Sequence, residues 1–307
     1  MRRTLLATLA ATSLVLAGCG GSDSSGGTSN LDKVTVTGSD KPKVKVAKGF
    51  KATKTTSRVI TKGDGDKVVA GDSIKIKYVA VNGRTGKAFD NSFTSNKPMT
   101  ITLLPTSILK GFIKGLTDQT VGSRVLVSIA PKDGFGKPQT SLNLKKSDTM
   151  VFLFDIVAKV PPTAAGKAHS LPNDLPKLVL DSKHQPSKFA KTSKTSPKQT
   201  KESAHVVIQG KGPKVELGQT LSVQYVGQIY PAGKVFDSSW ARGAPTPFQL
   251  TEGQLIKCWT DELKGQRVGS RVVLVCPADV AYKKAGSPPD IKGGDTLIFS
   301  IDLLDAF

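Results

Sequence analysis

The sequence is short of cysteine, histidine and long apolar runs, and each shortage excludes a class of protein. Three cysteines in 307 residues do not make a disulfide-rich scaffold. Three histidines, all between His169 and His205, supply neither a histidine-based metal site nor a catalytic triad, so no metal or cofactor is expected. The apolar run at the N-terminus is too short to span a bilayer, which excludes a polytopic membrane protein.

The N-terminus has the pattern of a bacterial export leader. Residues 1–3 (MRR) are basic, and residues 4–16 form a short apolar stretch. Residues 16–19 (LAGC) then resemble a lipobox, and a Gly- and Ser-rich run follows. A lipobox implies cleavage before the cysteine and attachment of lipid to its sulfur. A plain signal peptide with an incidental cysteine is the alternative.

These segments predict where the protein is located. Residues 1–18 are interpreted as a lipoprotein signal peptide, Cys19 as the lipidation site and residues 19–30 as a flexible tether. The protein is therefore expected to be extracytoplasmic, anchored by lipid to the outer face of the bacterial cytoplasmic membrane.

Acidic residues are scarce beside basic ones. The chain has 44 lysines and arginines against 24 aspartates and glutamates, a formal net charge of +20. The lysines are spread along the chain, so a solvated basic surface is the simplest interpretation, with attraction to anionic lipid or wall polymer. Nucleic acid is not expected as a partner, because an exported protein rarely meets it and no recognition motif is present.

The chain repeats itself at a constant offset of 147 residues. Residues 86–92 (GKAFDNS) match 233–239 (GKVFDSS), and residues 121–125 (VGSRV) match 268–272 (VGSRV). This period is far too long for a solenoid and indicates two tandem globular domains.

The boundaries of the domains follow from the repeat and from composition. The two copies are placed at residues 31–160 and 175–307, and residues 161–174, which open with two prolines, are interpreted as a linker. Residues 175–203 resemble the lead-in of the first copy and are predicted to be an edge segment of the second domain.

Each copy has mostly the pattern of strands. Strands are predicted at residues 73–79, 124–129 and 149–157, and again at 220–226, 271–276 and 296–304. One short helix is predicted in each copy, at residues 107–116 and 254–263; the second has Leu255, Ile256, Trp259 and Leu263 on one face. The predicted fold class is α+β, with each domain an antiparallel sheet wrapped around one short helix.

The second copy contains a series of short fragments in a fixed order. They are QYVG at 224–227, GKVFDSSW at 233–240, PFQL at 247–250, LIKCW at 255–259, VGSR at 268–271, AY at 281–282 and TLIF at 296–299. Together they resemble the FKBP family of peptidyl-prolyl cis–trans isomerases. With the first copy, the resemblance covers nearly all of the chain after the predicted tether.

The resemblance implies an apolar pocket for a proline ring and its X–Pro bond. The catalytic residues that it implies are Asp237, Tyr282, Ile256 and Trp259. Trp259 is the floor, the Ile256 N–H and the Tyr282 hydroxyl are donors to the substrate, and the Asp237 carboxylate acts through its field. The implied substrate-binding residues are Tyr225, Phe236, Phe248, Leu255, Ile291 and Phe299.

Core packing is the alternative for each of these aromatic residues taken singly. It does not explain why Asp237 follows Phe236, since a carboxylate beside a core aromatic is costly without a partner.

Two departures from the family pattern are expected to change the shape of the loops and the substrate preference. Thr246 stands where the family often has an aromatic residue, and Lys283 and Lys284 replace a glycine.

The first copy is a degenerate version of the same site. Its counterparts are Tyr78, Phe89, Asp90, Ile108, Leu109, Phe112, Phe135, Leu144 and Phe152. Phe112 replaces the tryptophan, and Phe135 lacks the hydroxyl of Tyr282. The pocket is expected to persist in a shallower and less polar form, with weak or absent isomerase activity.

Cys258 and Cys276 are open to two interpretations. In an exported protein they could form a disulfide that ties the floor of the pocket to the sheet. Two buried free thiols are the alternative, because free cysteine is a common core residue. The disulfide is slightly favoured.

The predicted function is therefore peptidyl-prolyl cis–trans isomerisation of exported proteins, carried by the second domain. Its expected partners are proline-containing polypeptides and, by family resemblance, macrolide inhibitors. The alternative function is a non-catalytic envelope chaperone or scaffold that only binds peptides.

Overall fold

A computed structural model describes residues 30–95 and 97–307. The predicted signal peptide, the lipidation site Cys19 and residues 20–29 of the tether lie outside this part of the chain. The described part forms two domains of similar build, each an antiparallel sheet with one helix of seven residues against it. This architecture confirms the predicted α+β class.

The first domain has eight strands and one α-helix among the described residues. They are β1 (Thr35–Thr37), β2 (Lys43–Lys45), β3 (Thr56–Thr61), β4 (Ser73–Asn82), β5 (Ala88–Asn91), β6 (Met99–Thr102), α1 (Lys110–Leu116), β7 (Arg124–Ile129) and β8 (Met150–Val160). Short 3-10 helices lie at Asn30–Lys33, Pro131–Asp133 and Thr140–Leu142.

The second domain repeats this order with additions. Its elements are β9 (Lys167–Ala168), β10 (Lys177–Leu180), β11 (Pro186–Ala190), β12 (Ser203–Gln209), β13 (Thr220–Ile229), β14 (Val235–Ser238), α2 (Ser239–Arg242), β15 (Thr246–Gln249), α3 (Lys257–Leu263), β16 (Arg271–Cys276), a 3-10 helix at Ala278–Val280 and β17 (Leu297–Ala306). No helix in the described ranges is long and apolar enough to cross a membrane.

The two main sheets have equivalent strand orders. The first runs β3-β7-β8-β4-β5, with β6 also paired to β4. The second runs β14-β13-β17-β16-β12-β9, with β15 also paired to β13. The long central strands β8 and β17 each pair on both sides, which places the apolar residues at the ends of the two copies in the middle of the sheets.

Each sheet buries both of its faces, because successive side chains of a strand point to opposite sides. In the second domain Tyr225 and Phe299 pack toward α3, whereas Val226 and Ile298 pack on the other side. In the first domain the aromatic residues of β8 face α1, and Val151 and Leu153 belong to the core on the opposite face.

In each domain a hairpin covers the face of the sheet opposite to the helix. Residues 175–203 were predicted to be an edge segment, but β10 and β11 within them form a separate two-stranded sheet. The β1–β2 hairpin and the residues that flank it cover the first sheet, with Val34, Val46 and Phe50 in the core on that face. The β10–β11 hairpin covers the second, with Phe189 in the core on that face. Gln228 of the sheet holds Phe189 in place, since its side chain bonds the N–H and the carbonyl of Phe189 at 2.6 and 3.0 Å.

The segment predicted as a linker is also part of the second domain. The Asp302 carboxylate is buried and accepts hydrogen bonds from the Thr163 hydroxyl and the Ala164 N–H, both at 2.8 Å. Asp302 also pairs with Arg271 at 2.5 Å, and β9 adds a short edge strand beside β12. Residues 163–168 are therefore fixed to the second sheet by the buried pair.

Candidate functional site

A cavity of about 750 Å³ opens in the second domain between α3 and the concave face of the sheet. The cavity is lined by nine of the ten site residues that the sequence predicts for this domain. They are Tyr225, Phe236, Asp237, Phe248, Leu255, Ile256, Trp259, Tyr282 and Phe299. The structure thus brings together residues from seven different elements and loops that are up to 74 positions apart.

Trp259 is the floor of this cavity. It lies in the first turn of α3 and only 4% of its surface is exposed. Tyr225, Phe248 and Phe299 stand edge-on to its indole, with ring centroids 5.7, 5.2 and 5.4 Å away, respectively, and interplanar angles between 77° and 87°. Edge-to-face contacts of this kind fix the rings and leave an apolar surface open above the indole.

Two polar residues that line the cavity, Tyr225 and Asp237, form a network with Arg242, which does not itself line it. The Tyr225 hydroxyl donates to one oxygen of Asp237, and the Arg242 guanidinium pairs with the other. Arg242 also donates to the Tyr225 hydroxyl at 3.0 Å and to the Thr246 hydroxyl at 3.1 Å. Asp237 is therefore held in one orientation and its charge is balanced, which answers the cost expected of a carboxylate beside Phe236.

Arg242 is a site residue that the sequence analysis missed. It is the last residue of the short helix α2. Its guanidinium carbon lies over the Tyr225 ring, 5.6 Å from the ring centroid. The Ser238 hydroxyl caps this helix by accepting the Ala241 N–H at 3.3 Å. A serine at an N-cap followed by an arginine four residues later was the available signal.

Two tyrosine hydroxyls of the cavity keep their protons over the physiological range. Burial, together with the hydrogen bond to Asp237, raises the pKa of Tyr225 to about 12. Burial and the nearby negative charge of Asp237 also raise the pKa of Tyr282 above its ordinary value. The Tyr282 side chain is 38% exposed at the rim, so its hydroxyl is a neutral donor open to a ligand.

The extended backbone of Ile256, just before helix α3, forms part of the wall of the cavity. The helix predicted from residue 254 begins only at Lys257, because Ile256 has φ −60° and ψ 143° and is extended. Leu109, its counterpart in the first domain, has nearly the same angles before α1. The late start of the helix leaves Leu255 and Ile256 in extended chain along the cavity.

Ile291 is the one predicted wall residue that is not among those lining the cavity, although it belongs to the same buried cluster as Trp259 and Phe299. It is buried in the core of the second domain and does not line the cavity. Its N–H donates to the Ser287 carbonyl at 3.1 Å, which closes the loop before β17. The cavity wall contains in its place residues that the sequence did not single out, among them Glu252, Gln254, Asp279 and Val280.

The first domain keeps part of the polar network. The Tyr78 hydroxyl donates to Asp90 at 2.6 Å, as Tyr225 does to Asp237. Burial, with the bond to Asp90, raises the pKa of Tyr78 as well. Ser95 occupies the position of Arg242, so the guanidinium that pairs with Asp237 has no counterpart beside Asp90.

The aromatic rings of the first domain pack on one another. Phe112 meets Phe152 and Phe154 at 4.9 Å each, and these two rings stack at 5.2 Å. Phe89 adds an edge contact to Phe152, and Ile108 packs against the same core. The rings that would line a pocket therefore contact one another, and Phe152 and Phe154 are buried among them.

The prediction of a shallower but persistent pocket in the first domain is not matched by this packing. Phe135 and Leu144 line a separate hollow of about 10 Å³, which is far too small for a proline ring. Neither Tyr78 nor Phe112 borders that hollow. Phe154 is the physical reason, because the second domain has the smaller Ile301 at the equivalent position.

Cys258 and Cys276 form a disulfide, which joins α3 to β16 directly behind Trp259. The equivalent positions of the first domain are Gly111 and Ile129. There the isoleucine fills the space, and a Cβ on Gly111 would lie 2.4 Å from the Ile129 Cγ2. The helix is therefore fixed to the equivalent strand in each domain, to β16 by a covalent bond in the second and to β7 by close packing in the first.

Comparison with known proteins gives the family of both domains. The family model for FKBP-type peptidyl-prolyl cis–trans isomerases matches residues 65–157 and 212–304, more than half of the chain. An FK506-binding protein of Streptomyces anulatus is 45% identical over 99 residues, which are 32% of this chain and 80% of that protein.

Two bacterial relatives match over longer stretches. A probable FKBP-type peptidyl-prolyl cis–trans isomerase of Haemophilus influenzae is 33% identical over 157 residues, half of this chain and 61% of that protein. The FKBP-type isomerase FkpA of Escherichia coli is 40% identical over 118 residues, 38% of this chain and 42% of that protein. The matched part is thus less than two thirds of either relative. The chain belongs to the FKBP-type peptidyl-prolyl cis–trans isomerases, with one match to the family in each of its two domains.

Proposed function

We propose that the second domain carries the isomerase activity of this chain and that the first does not. The observation that carries the proposal is the cavity of about 750 Å³ above Trp259, set against the mutually packed rings of the first domain. An apolar cavity with a few convergent polar groups is what a proline ring and its flanking peptide need.

The reaction requires no nucleophile, because rotation about the X–Pro bond breaks no covalent bond. Amide resonance sets a barrier of about 18–20 kcal/mol. The twisted transition state has lost that resonance and is less polar along the C–N bond. The aromatic floor and walls around Trp259 favour it over the solvated planar amide, which is differential binding of the transition state.

The polar groups of the cavity have separate roles in this proposal. The Ile256 N–H and the neutral Tyr282 hydroxyl donate to carbonyls of the substrate and hold the proline ring on the floor. Asp237, fixed by Tyr225 and Arg242, acts through its field on the carbonyl that rotates. Each 1.36 kcal/mol of preference for the transition state gives about a tenfold faster rotation.

Matched substitutions at the two floors test which domain is active. In the full chain, Trp259→Leu should reduce the rate on an X-Pro peptide, followed in a protease-coupled assay, by about tenfold or more. Phe112→Leu should leave the rate within about twofold, with circular dichroism confirming that both variants fold. An equal loss in both variants contradicts the assignment to the second domain.

The same assay separates the enzyme from the alternative of a peptide-binding scaffold. A scaffold would bind a proline-containing peptide with no rate above background, and Trp259→Leu would weaken binding only. The family shared with the relatives supports the enzyme. Proline-containing polypeptides are its proposed substrates, and macrolides that bind this family its proposed inhibitors.

We further propose that the chain is exported and anchored to the outer face of the cytoplasmic membrane by lipid on Cys19. The lipobox-like residues 16–19 and the Gly- and Ser-rich run after them support this. Its clients would then be exported proteins whose X–Pro bonds isomerise outside the cytoplasm.

Substitution of Cys19 tests the anchor. In a bacterial host supplied with a labelled fatty acid, the full chain should incorporate label and sediment with membranes, and Cys19→Ser should lose the label. Cys258→Ser/Cys276→Ser is the matched control and should keep it. Label retained by Cys19→Ser would refute the lipidation site.

A further inference from the structure

Two segments that lead into the domains carry much of the excess positive charge. Residues 30–54, here called the first lysine hairpin, contain seven lysines and two aspartates. Residues 174–202, the second lysine hairpin, contain seven lysines and three acidic residues. All fourteen lysines are exposed, and together the two segments hold nine of the twenty excess positive charges.

Strand alternation turns the lysines that lie in the hairpin strands toward the outer face of each hairpin. In β2, Lys43 and Lys45 are exposed while Val44 between them packs against the core under the hairpin. In β11, Lys188 is exposed while the next residue, Phe189, is buried. The apolar residues that fasten a hairpin to its sheet therefore turn the lysines outward.

Most lysines of the first lysine hairpin have no carboxylate within ion-pair distance in the part of the chain that the structure describes. Six of its ammonium groups lie more than 4.0 Å from every carboxylate of the described chain. They belong to Lys33, Lys41, Lys43, Lys45, Lys48 and Lys51. A surface on which like charges stand together without partners attracts a polyanionic surface.

The first lysine hairpin is also placed suitably for a membrane. It lies on the face of its sheet opposite to α1, so contact through it leaves the helix side of the domain free. It begins about ten residues after Cys19. At about 3.5 Å per extended residue, the tether lets it reach no farther than about 40 Å from the lipid.

We propose that the outer face of the first lysine hairpin docks on an anionic phospholipid bilayer. The proposal extends the anchoring proposed above, because lipid on Cys19 would hold this hairpin next to the bilayer. Lysines near such a surface each add to the binding, and a basic patch together with a lipid chain anchors more stably than one chain alone. Docking would hold the first domain on the membrane through the face of its sheet opposite to α1.

Vesicle binding with matched charge variants tests the proposal. The full chain is sedimented with vesicles of phosphatidylglycerol and phosphatidylcholine, and with vesicles of phosphatidylcholine alone. One variant changes Lys41, Lys43, Lys45 and Lys48 to Gln. The control changes Lys132, Lys137, Lys145 and Lys146 to Gln, which removes the same charge from exposed positions in the loops between β7 and β8 of the same domain.

The hairpin variant should lose about tenfold or more of its affinity for the anionic vesicles, and the control less than about twofold. Binding to neutral vesicles should not change, since any acyl chain or leader acts equally on both vesicle types. High salt should remove the difference between wild type and hairpin variant.

Three results would overturn the proposal. The first is an equal loss of affinity for anionic vesicles in the two variants, and the second is equal binding of the wild type to both vesicle types. The third is a hairpin variant that no longer binds soluble poly(glycerol phosphate) but still binds anionic vesicles. Isomerase activity measured in the same samples should be unchanged by the hairpin substitutions. A failure of docking is thereby distinguished from a failure of the proposed catalysis.

Discussion

Lys283 holds a backbone conformation that is favourable only for glycine. Its φ is +54°, in the left-handed region, directly after the rim residue Tyr282. The equivalent residue of the first domain is Gly136, with φ +70°. Since a side chain in this region costs roughly 1–2 kcal/mol, the second domain carries strain in the loop that positions a substrate donor.

Replacing this lysine should stabilise the second domain. Lys283→Gly removes the steric cost but adds about 0.5–1 kcal/mol of backbone entropy loss on folding, so we expect the free energy of unfolding to rise by roughly 0.5–1 kcal/mol. Urea denaturation measures this change. Lys284→Gly, at a neighbouring exposed position outside the left-handed region, is the control and should lower stability. A decrease with Lys283→Gly would show that Lys283 is not strained.

The site residues differ in how well the sequence predicts them. Trp259, Asp237 and Tyr282 lie in fragments with a fixed order, and the structure places them around one cavity. Arg242 was missed because a lone arginine has no periodicity, and its role depends on one turn of helix α2. Ile291 is buried in the cluster of Trp259 without lining the cavity, because the sequence pattern of a buried aliphatic side chain is the same for a core and for a pocket wall.

At the scale of elements, the contact between helix and central strand decides the shape of each domain. In the second domain the disulfide holds α3 on β16. In the first, Gly111 and Gly115 of α1 lie against Ile129 and Val127, with no room for a Cβ on either glycine. The first domain therefore depends on glycine where the second has a cysteine.

Gly111→Ala should destabilise the first domain. In an unobstructed helix this change stabilises by up to about 1 kcal/mol, but here the new Cβ would lie 2.4 Å from Ile129 Cγ2. Overpacking of this kind costs about 1–3 kcal/mol. Thermal unfolding followed by circular dichroism gives the change for the single variant and for Gly111→Ala/Ile129→Ala.

The double variant is the control for this prediction. Removing the isoleucine side chain leaves space for the alanine, so the two substitutions together should cost less than the sum of the single ones. Additive costs would mean that Gly111 and Ile129 do not oppose each other.

The sequence pattern predicts the bounds of some strands and helices correctly and those of others not. Strands β7 and β16 begin and end at the predicted residues, because dense apolar runs buried on both faces leave little choice. Helices α1 and α3 start three residues later than predicted, since their first apolar residues are extended along the site. The hairpins were not predicted, because their strands have only three to five residues each, and lysines and prolines interrupt the apolar pattern.

At the scale of the whole molecule, one buried carboxylate joins the two domains. Asp305 lies near the end of β17 and is only 2% exposed. Lys75 of β4 pairs with it at 2.6 Å, and the Thr100 hydroxyl of β6 donates to it at 2.5 Å. Neither contact is visible in the sequence, because the repeat predicts equivalent positions within domains and not the contact between them.

This pair should contribute more to stability than pairs exposed to solvent. A double-mutant cycle with Lys75→Met and Asp305→Asn should give a coupling energy of about 1–3 kcal/mol, because removal of either partner leaves the other desolvated. The ion pair of Lys67 and Asp118, at 2.8 Å but largely exposed, is the matched control, with an expected coupling of about 0–1 kcal/mol. Urea denaturation of the full chain gives both values. Equal coupling in the two cycles would mean that the domains are not held together through Asp305.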